Sequence, residues 1–382
     1  MAKVLQGITV LEMGTFITGP AAGMLLADFG ADVIKIEQPG SGDPFRAFKG
    51  GLYSPHFQTY NRNKRSITLD TKNEDDLVLL DTLVARADVF IQNFRPGVAA
   101  RLNVGAERLR AINPRLVYCS ISGFGPDGPD KERPAFDSVA QAASGFLRLL
   151  INPEHPRVVG PAIGDAVTGF YAALGALAAL TERASTGKGR LVETSMFEAM
   201  CHFNLDDFTH YLSAGEVMGP YSRPHVSQSY VFDCSDGRRI ALHMSSPPKF
   251  WENLAIAVGQ PDMLDRPEFS DRIARIENYD AVNKFLSQVF RTRPAADWCA
   301  RLTELEVPHS PLRTPQEVLE SPQAKHLQVG IETFHEKTGP FRTIRSPVSF
   351  DRERALDVVA PPTLGEHNRE ILGRRRRTEA AE

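Results

Sequence analysis

The sequence predicts an α/β protein: a parallel sheet in the N-terminal half, followed by a smaller α+β region. A strand–helix–strand pattern, its recurrence, and a later change of composition carry this expectation. Gly7 to Met13 is a short apolar run of strand character ended by Gly14. Pro20 to Phe29 is rich in Ala, Met and Leu, with Gly30 as a helix stop, and Ala31 to Glu37 (ADVIKIE) alternates apolar and polar residues. Strand, helix and strand in roughly thirty residues make a βαβ unit, whose crossover requires parallel strands and a Rossmann-like sheet.

The pattern recurs along the chain. Asp75 to Ala87 reads as an amphipathic helix, DVFIQNF from Asp88 as a strand, and RLVYCSIS from Arg115 as another. Helices are expected over Phe136 to Leu150 and Asp165 to Arg183, the second rich in small residues. Gly189 to Thr194 then leads as a strand into a helix from Ser195 to Leu212. At Gly219 to Ser227 the composition turns to Pro and Ser, which reads as a linker. Beyond it SYVFDCSDGRRIALHM is a hairpin turning at Asp236-Gly237, and helices follow at 248–258, 279–290 and 295–305. Pro340 to Phe350 is strand-like, and a last helix is expected over Gly365 to Leu372.

Composition excludes several function classes. A length of 382 residues suits two domains, and a formal net charge of −3 supplies no basic field for nucleic acid or an anionic membrane. The one dense basic run, Arg374 to Arg377, reads as a solvated tail. The N-terminus moves straight into a strand pattern, and the most apolar stretch, Ala172 to Leu180, is about half a bilayer span. A cytoplasmic protein is expected. Cys119, Cys201, Cys234 and Cys299 form no CxxC pair, and His202 and His210 stand eight apart, so no metal is expected.

The first strand–turn–helix is where a nucleotide is expected, yet Gly14, Gly19 and Gly23 do not spell GxGxxG. Free N–H groups at Gly19 and Pro20's helix start can hold an anion, or these glycines serve tight packing alone. Asp165, in GPAIGDAVTGFYAALGALAAL, has two compatible readings. It can cap an Ala-rich helix, or it can attack a thioester as a carboxylate that the helix N-terminus keeps ionised. Asp137 in RPAFDSVAQAASG reads as a cap or a surface carboxylate. Arg46, Lys64, Arg65, Lys72, Arg95 and Arg101 lie in loop-like stretches, as phosphate holders or as solvated charges.

Together these stretches resemble the class III CoA-transferase family, the formyl-CoA transferase and carnitine CoA-transferase (CaiB/BaiF) type. The matching segments are LEMGTFITGPAAGMLLADFGADVIKIEQPGSGD, NRNKRSITLDTK, FIQNFRPGVAARL, NPRLVYCSISGFGPDGP, RPAFDSVAQAASG, AIGDAVTGFYAALGALAAL, STGKGRLVETSMFEAM and PPTLGEHNREIL. They span nearly all of the first 200 residues and the C-terminal end, while residues 221–320 match loosely.

The resemblance implies a Rossmann-like large domain built from both chain ends (1–220 and 321–382), a small α+β domain (221–320), and an interlocked homodimer. The family's catalytic aspartate falls on Asp165. Its CoA-contacting positions fall on Asn93 and Phe94, on Arg101, and on Leu69 and Lys72; Ile17 stands in the first turn where formyl-CoA transferases carry glutamine. The implied substrates are an acyl-CoA and a small carboxylic acid, with CoA as co-substrate, no permanently bound cofactor, and no nucleic acid or membrane partner. CoA would move through an aspartyl acyl anhydride on Asp165, its oxyanion held by N–H groups near Gly164 and the first turn.

Two departures set this chain apart from formyl-CoA transferases. Ile17 removes the glutamine's polar help, and HMSSPPKFW replaces a glycine-rich loop of the small domain. A larger acyl group than formate or oxalate is therefore expected. The rival within the family is an α-methylacyl-CoA racemase, whose histidine in a GHDINY-like segment is replaced here by Phe136, which cannot act as a base. Outside it stands a nicotinamide oxidoreductase, against which the missing GxGxxG argues, and a third reading is a non-catalytic CoA-binding or scaffolding member.

Overall fold

Alternation decides the first strand. In β1 (Thr9–Met13), Val10 and Glu12 point to one face of the sheet while Leu11 and Met13 point to the other, and all four are buried. The chain then turns into α1 (Thr18–Asp28), whose Pro20 sits in the first helical turn, where its missing N–H costs nothing. Gly30, at φ +97°, ends the helix in a backbone region that suits glycine. β2 (Asp32–Glu37) pairs parallel to β1, with Glu12 opposite Lys35.

β3 (Lys64–Thr68), β4 (Val89–Gln92), β5 (Val117–Ser122) and β6 (Leu191–Ser195) complete a six-stranded sheet of order β3-β2-β1-β4-β5-β6. Every pair is parallel. The computed structural model describes residues 3–49, 51–245 and 247–373. The expected solvated run Arg374 to Arg377 lies outside them.

Two apolar cores cover the sheet. Val10, Val33, Val89, Ile91, Val117 and Ile121 pack with Ala22 and Leu26 of α1 and with Ala172 and Ala176 of a long helix, Ile163–Thr186. Leu11, Ile34, Ile67, Phe90 and Tyr118 pack with Leu80 and Leu83 of the helix Glu74–Val84 on the other face. Fully burying each Val, Leu or Ile contributes about 1.5–3 kcal/mol. The long helix is apolar and long enough to cross a membrane by length and composition, but its alanine stripe is spent on this core. It approaches α1 closely at Gly169, where a Cβ would stand 2.8 Å from the Ala21 Cβ and 3.0 Å from the Thr18 carbonyl. Replacing Gly169 with valine would force the two helices apart.

Residues 323–373 belong to the same compact unit as residues 3–147 and Val158–Leu205. Asn368 accepts the Thr68 N–H at 2.8 Å and donates to the Thr68 hydroxyl at 2.9 Å, and Arg46 donates to the Pro362 carbonyl. The second unit comprises Arg148–Arg157 and Asp206–Pro322. Its antiparallel sheet joins β7 (Ser229–Asp233), β8 (Arg239–His243) and β9 (His309–Pro311). Phe232, Ile240, Trp251, Phe290 and Trp298 form its core. Asp236-Gly237 makes the expected hairpin turn, with Gly237 at φ +76°.

Several expectations change. Gly219 to Ser227 is not a plain linker, because Ser222–Ser227 is helical. The helix expected over 136–150 stops at Ala143, and the one over 195–212 is broken at Asn204 into Met196–Phe203 and Leu205–Ala214. The cations Lys64 and Arg65 lie on β3 instead of a loop.

Candidate functional site

In an open parallel sheet, ligands bind at the carboxyl ends of the strands where the strand order reverses. Here that point lies between β1 and β4, so the turn after Met13 and the residues after Gln92 face each other. Asn93 ties them together. Its Oδ1 accepts the Thr15 N–H at 2.9 Å, and its Nδ2 donates to the Thr15 carbonyl at 2.8 Å and to the Thr18 hydroxyl at 2.9 Å. A side chain at Gly19 would press on the Asn93 amide, its Cβ 3.4 Å from Cγ.

A cleft of about 340 Å³ opens at this point, within the roughly 300–1,000 Å³ of small-ligand sites. Ile17, Asn93, Phe94 and Asp165 all line it, with Phe16, Phe136 and the cations Arg95, Lys131 and Arg133. Among the described residues Asp165 is the one carboxylate on that lining. Four of the seven expected site residues therefore meet in one place. Leu69 is buried and shares a neighbouring cleft with Phe94, Thr15 and Asp43. Lys72 and Arg101 are exposed and line neither cleft, Arg101 ending the short helix Val98–Arg101.

The start of the long helix departs from the sequence reading. Its N-cap is Ala162, and Asp165 lies inside the first turn without capping it. The cap is supplied from another helix (Asp137–Ala143): Asp137 Oδ1 accepts the Gly164 N–H at 2.8 Å and the Asp165 N–H at 3.3 Å. Gln141 donates to the other oxygen of Asp137 at 2.7 Å, and a Cβ at Gly164 would stand 3.3 Å from Asp137 Oδ1. The Gly164 N–H expected to hold an oxyanion is thus already occupied.

The electrostatics also reverse. Burial of Asp165, reinforced by the charge of Asp137, raises its carboxyl from 3.8 to about 7. Desolvation and a like charge outweigh the helix N-terminus, which was expected to keep Asp165 ionised. Near neutral pH the group titrates, and in its ionised form it is a more basic nucleophile than an ordinary aspartate. Tyr60 is close enough for both carboxylates to raise its phenol, after burial.

Three of the cations read as phosphate holders or as solvated charges are neither. Arg46 is fully buried and forks onto Glu37, both bonds at 2.7 Å. Lys64 is buried against Glu12 at 2.6 Å, and Arg65 pairs with Asp32 and Glu370. Conversely, Lys131 and Arg133 were not singled out in the sequence. They follow GFGPDGP, and no local pattern shows that the loop returns to the cleft. Among the described residues, no group of three His, Cys, Asp or Glu side chains is placed to hold a metal.

The family model described as CoA-transferase family III matches residues 5–368. The chain is 33% identical to a formyl-CoA:oxalate CoA-transferase of Streptomyces avermitilis, over 97% of this chain and 95% of that one. It is 32% identical to a succinyl-CoA–D-citramalate CoA-transferase of Chloroflexus aurantiacus, over 97% and 93%. A crystal structure of a CaiB/BaiF family protein from Brucella suis superposes with a TM-score of 0.84 at 31% identity, covering 97% of this chain and 98% of that one. With its parallel sheet and the carboxylate-bearing cleft at the switch point, the chain belongs to CoA-transferase family III and is a CoA-transferase using CoA thioesters as co-substrates.

Proposed function

We propose that this enzyme transfers CoA from an acyl-CoA donor to a small carboxylic acid through an aspartyl acyl anhydride on Asp165. Among the described residues Asp165 alone supplies a carboxylate to the cleft, and its pKa is lifted to about 7, which carries this reading. An oxygen of ionised Asp165 attacks the thioester carbonyl, the C–S bond breaks, and CoA leaves as a thiolate. The thiolate then attacks the aspartyl carbonyl, releasing the donor acid and leaving CoA on Asp165. The acceptor carboxylate repeats both steps in reverse, which frees Asp165. No external base is needed, since each nucleophile is already an anion. Thr18 opens α1, where an N–H has no intrahelical acceptor, and it lines the same cleft, so its N–H serves the oxyanion in place of Gly164.

Asn93 and Phe94 take the thioester end of CoA, Leu69 its neighbouring cleft, and Arg95, Lys131, Arg133, Lys72 and Arg101 its charged groups. Ile17 gives the acyl group an apolar wall. The relatives named above act on oxalate or citramalate, which supports a small carboxylic acid as acceptor. An interlocked homodimer is also proposed, supported by the exposure of Phe170 and Leu174 on the long helix. Light scattering that finds a monomer would remove it.

Incubation with a panel of acyl-CoAs, trapping with hydroxylamine and peptide mass spectrometry test the mechanism. A donor-dependent hydroxamate on Asp165 is expected. CoA binding without any adduct on Asp165 would point to a protein that holds CoA without forming the anhydride.

A further inference from the structure

Beneath the first turn lies a set of charged side chains that takes no part in the steps above. Glu12 of β1, Lys35 of β2, Asp43 and Lys64 of β3 are each 2% exposed or less. Lys35 lies 2.9 Å from Glu12 Oε1, and Lys64 lies 2.6 Å from Glu12 Oε2. Lys35 is also 3.0 Å from Asp43 Oδ2, a contact with the geometry of an ion pair, not of a directed hydrogen bond. A buried ion pair contributes little net stability compared with apolar residues of the same volume. Stability alone therefore does not explain four buried charges.

What they grip is the backbone of residues 14–20. Gly14 donates its N–H to Glu12 at 3.1 Å, and its carbonyl accepts from Lys35 at 2.8 Å. Phe16 donates its N–H to Asp43 Oδ1 at 3.1 Å, and the Pro20 carbonyl accepts from Lys64 at 2.8 Å. Phe16 itself stands at φ +60°, a left-handed conformation that costs a non-glycine residue about 1–3 kcal/mol and persists only where its surroundings enforce it. Thr15, Phe16, Ile17 and Thr18 all line the cleft that Asp165 lines.

We infer that Glu12, Lys35 and Asp43 are positioning residues for CoA transfer: they clamp residues 14–16 from below and so aim the start of α1 at the thioester carbonyl on Asp165. The inference rests on the Asp165 reading for where that carbonyl sits. Burial pulls Lys64 down to about 8, although Glu12 opposes the shift. Burial pushes Glu12 up, yet Lys35 and Lys64 outweigh it and hold its carboxyl low. The clamp therefore keeps its anion at the centre across the physiological range. Glu12 and Lys35 line neither cleft and act through the backbone alone, whereas Asp43 also borders the cleft that holds Leu69.

The test measures the rate of adduct formation on Asp165 and the dissociation constant of CoA in the full-length enzyme. Asp43→Ala is expected to slow adduct formation about 100-fold, the cost of misplacing a catalytic group by about 1 Å. In Glu12→Gln/Lys35→Met, whose two residues line neither cleft, adduct formation should slow likewise while CoA affinity stays within about threefold. Asp43→Asn, which still offers an oxygen to the Phe16 N–H, should recover at least tenfold of the loss. A merely structural role predicts no such rescue of the rate in variants that are equally folded. Should Asp43→Ala fail to fold, Glu12→Gln/Lys35→Met decides, since it preserves volume and net charge while releasing the Gly14 carbonyl. A folded Asp43→Ala or double variant with the wild-type adduct rate would overturn the inference. Loss of the adduct in Asp165→Ala, measured alongside, checks the reading beneath it independently.

Discussion

Two helix starts meet at the cleft, and they are built on opposite electrostatic plans. Beneath the start of α1, three carboxylates (Glu12, Glu37, Asp43) face three cations (Lys35, Lys64, Arg46) in full burial, and the charges cancel. At the start of the long helix, Asp137 and Asp165 stand together, and no ion pair of either is present among the described residues. The first arrangement fixes backbone. The second leaves one carboxylate poised between its two protonation states. A buried charge that is balanced suits a scaffold, whereas one next to a like charge is the candidate for chemistry.

The largest effect should come from removing the unbalanced charge. Asp165→Ala is expected to lower transfer by at least about 10³-fold, with CoA affinity within a few-fold, because the covalent route is lost and the binding surface is not. Full retained activity, read as thioester exchange between labelled acids, would remove the nucleophile assignment.

The next effect concerns pH. Because Asp165 is raised to about 7 by burial and by Asp137, its adduct rate should climb about tenfold per pH unit below 7 and level off above. Asp137→Asn keeps an oxygen for the Gly164 N–H but removes the like charge. It should move that limb down by about one unit, a few-fold faster adduct formation at pH 6. A limb that stays put would mean that burial alone sets the shift.

A smaller effect separates the cations. Arg101→Ala and Arg133→Ala should each weaken CoA binding about three- to tenfold by calorimetry, increasingly masked by added salt. An unchanged constant for Arg101 would fit its place outside both clefts.

The smallest concerns stability. The folded protein holds the Asp165 proton more tightly than the unfolded chain, so the ionised form costs stability as pH rises from 3.8 through about 7. Asp165→Asn removes that cost. It should raise the melting temperature by about 2 °C at pH 8 and less at pH 5. An equal gain at both values would contradict the raised pKa.

Local signals made most of this molecule legible. The βαβ opening, the strand at Val89–Gln92 and the long small-residue helix follow from periodicity and from Gly and Pro placement, which act over a few residues. Asp165 stands out because its segment resembles a family motif; its local sequence reads first as that of a cap. The errors have a common origin. Lys64 and Arg46 looked like surface cations because their carboxylate partners come from other strands and turns. Asp137 looked like a cap for its own helix, yet it caps one that begins 26 residues later in the chain, at Ile163.

Local pattern sufficed for most strands and helices and for the parallel connection of the sheet, and the family resemblance for the candidate nucleophile. The raised pKa of that carboxylate and the partners of each buried ion emerge only once the chain is folded. Helix and strand propensities are local sums, whereas desolvation and Coulomb pairing depend on neighbours brought together from across the chain. Asp165 is acidic in any unfolded chain; it becomes a group that titrates near 7 only where burial and Asp137 meet it.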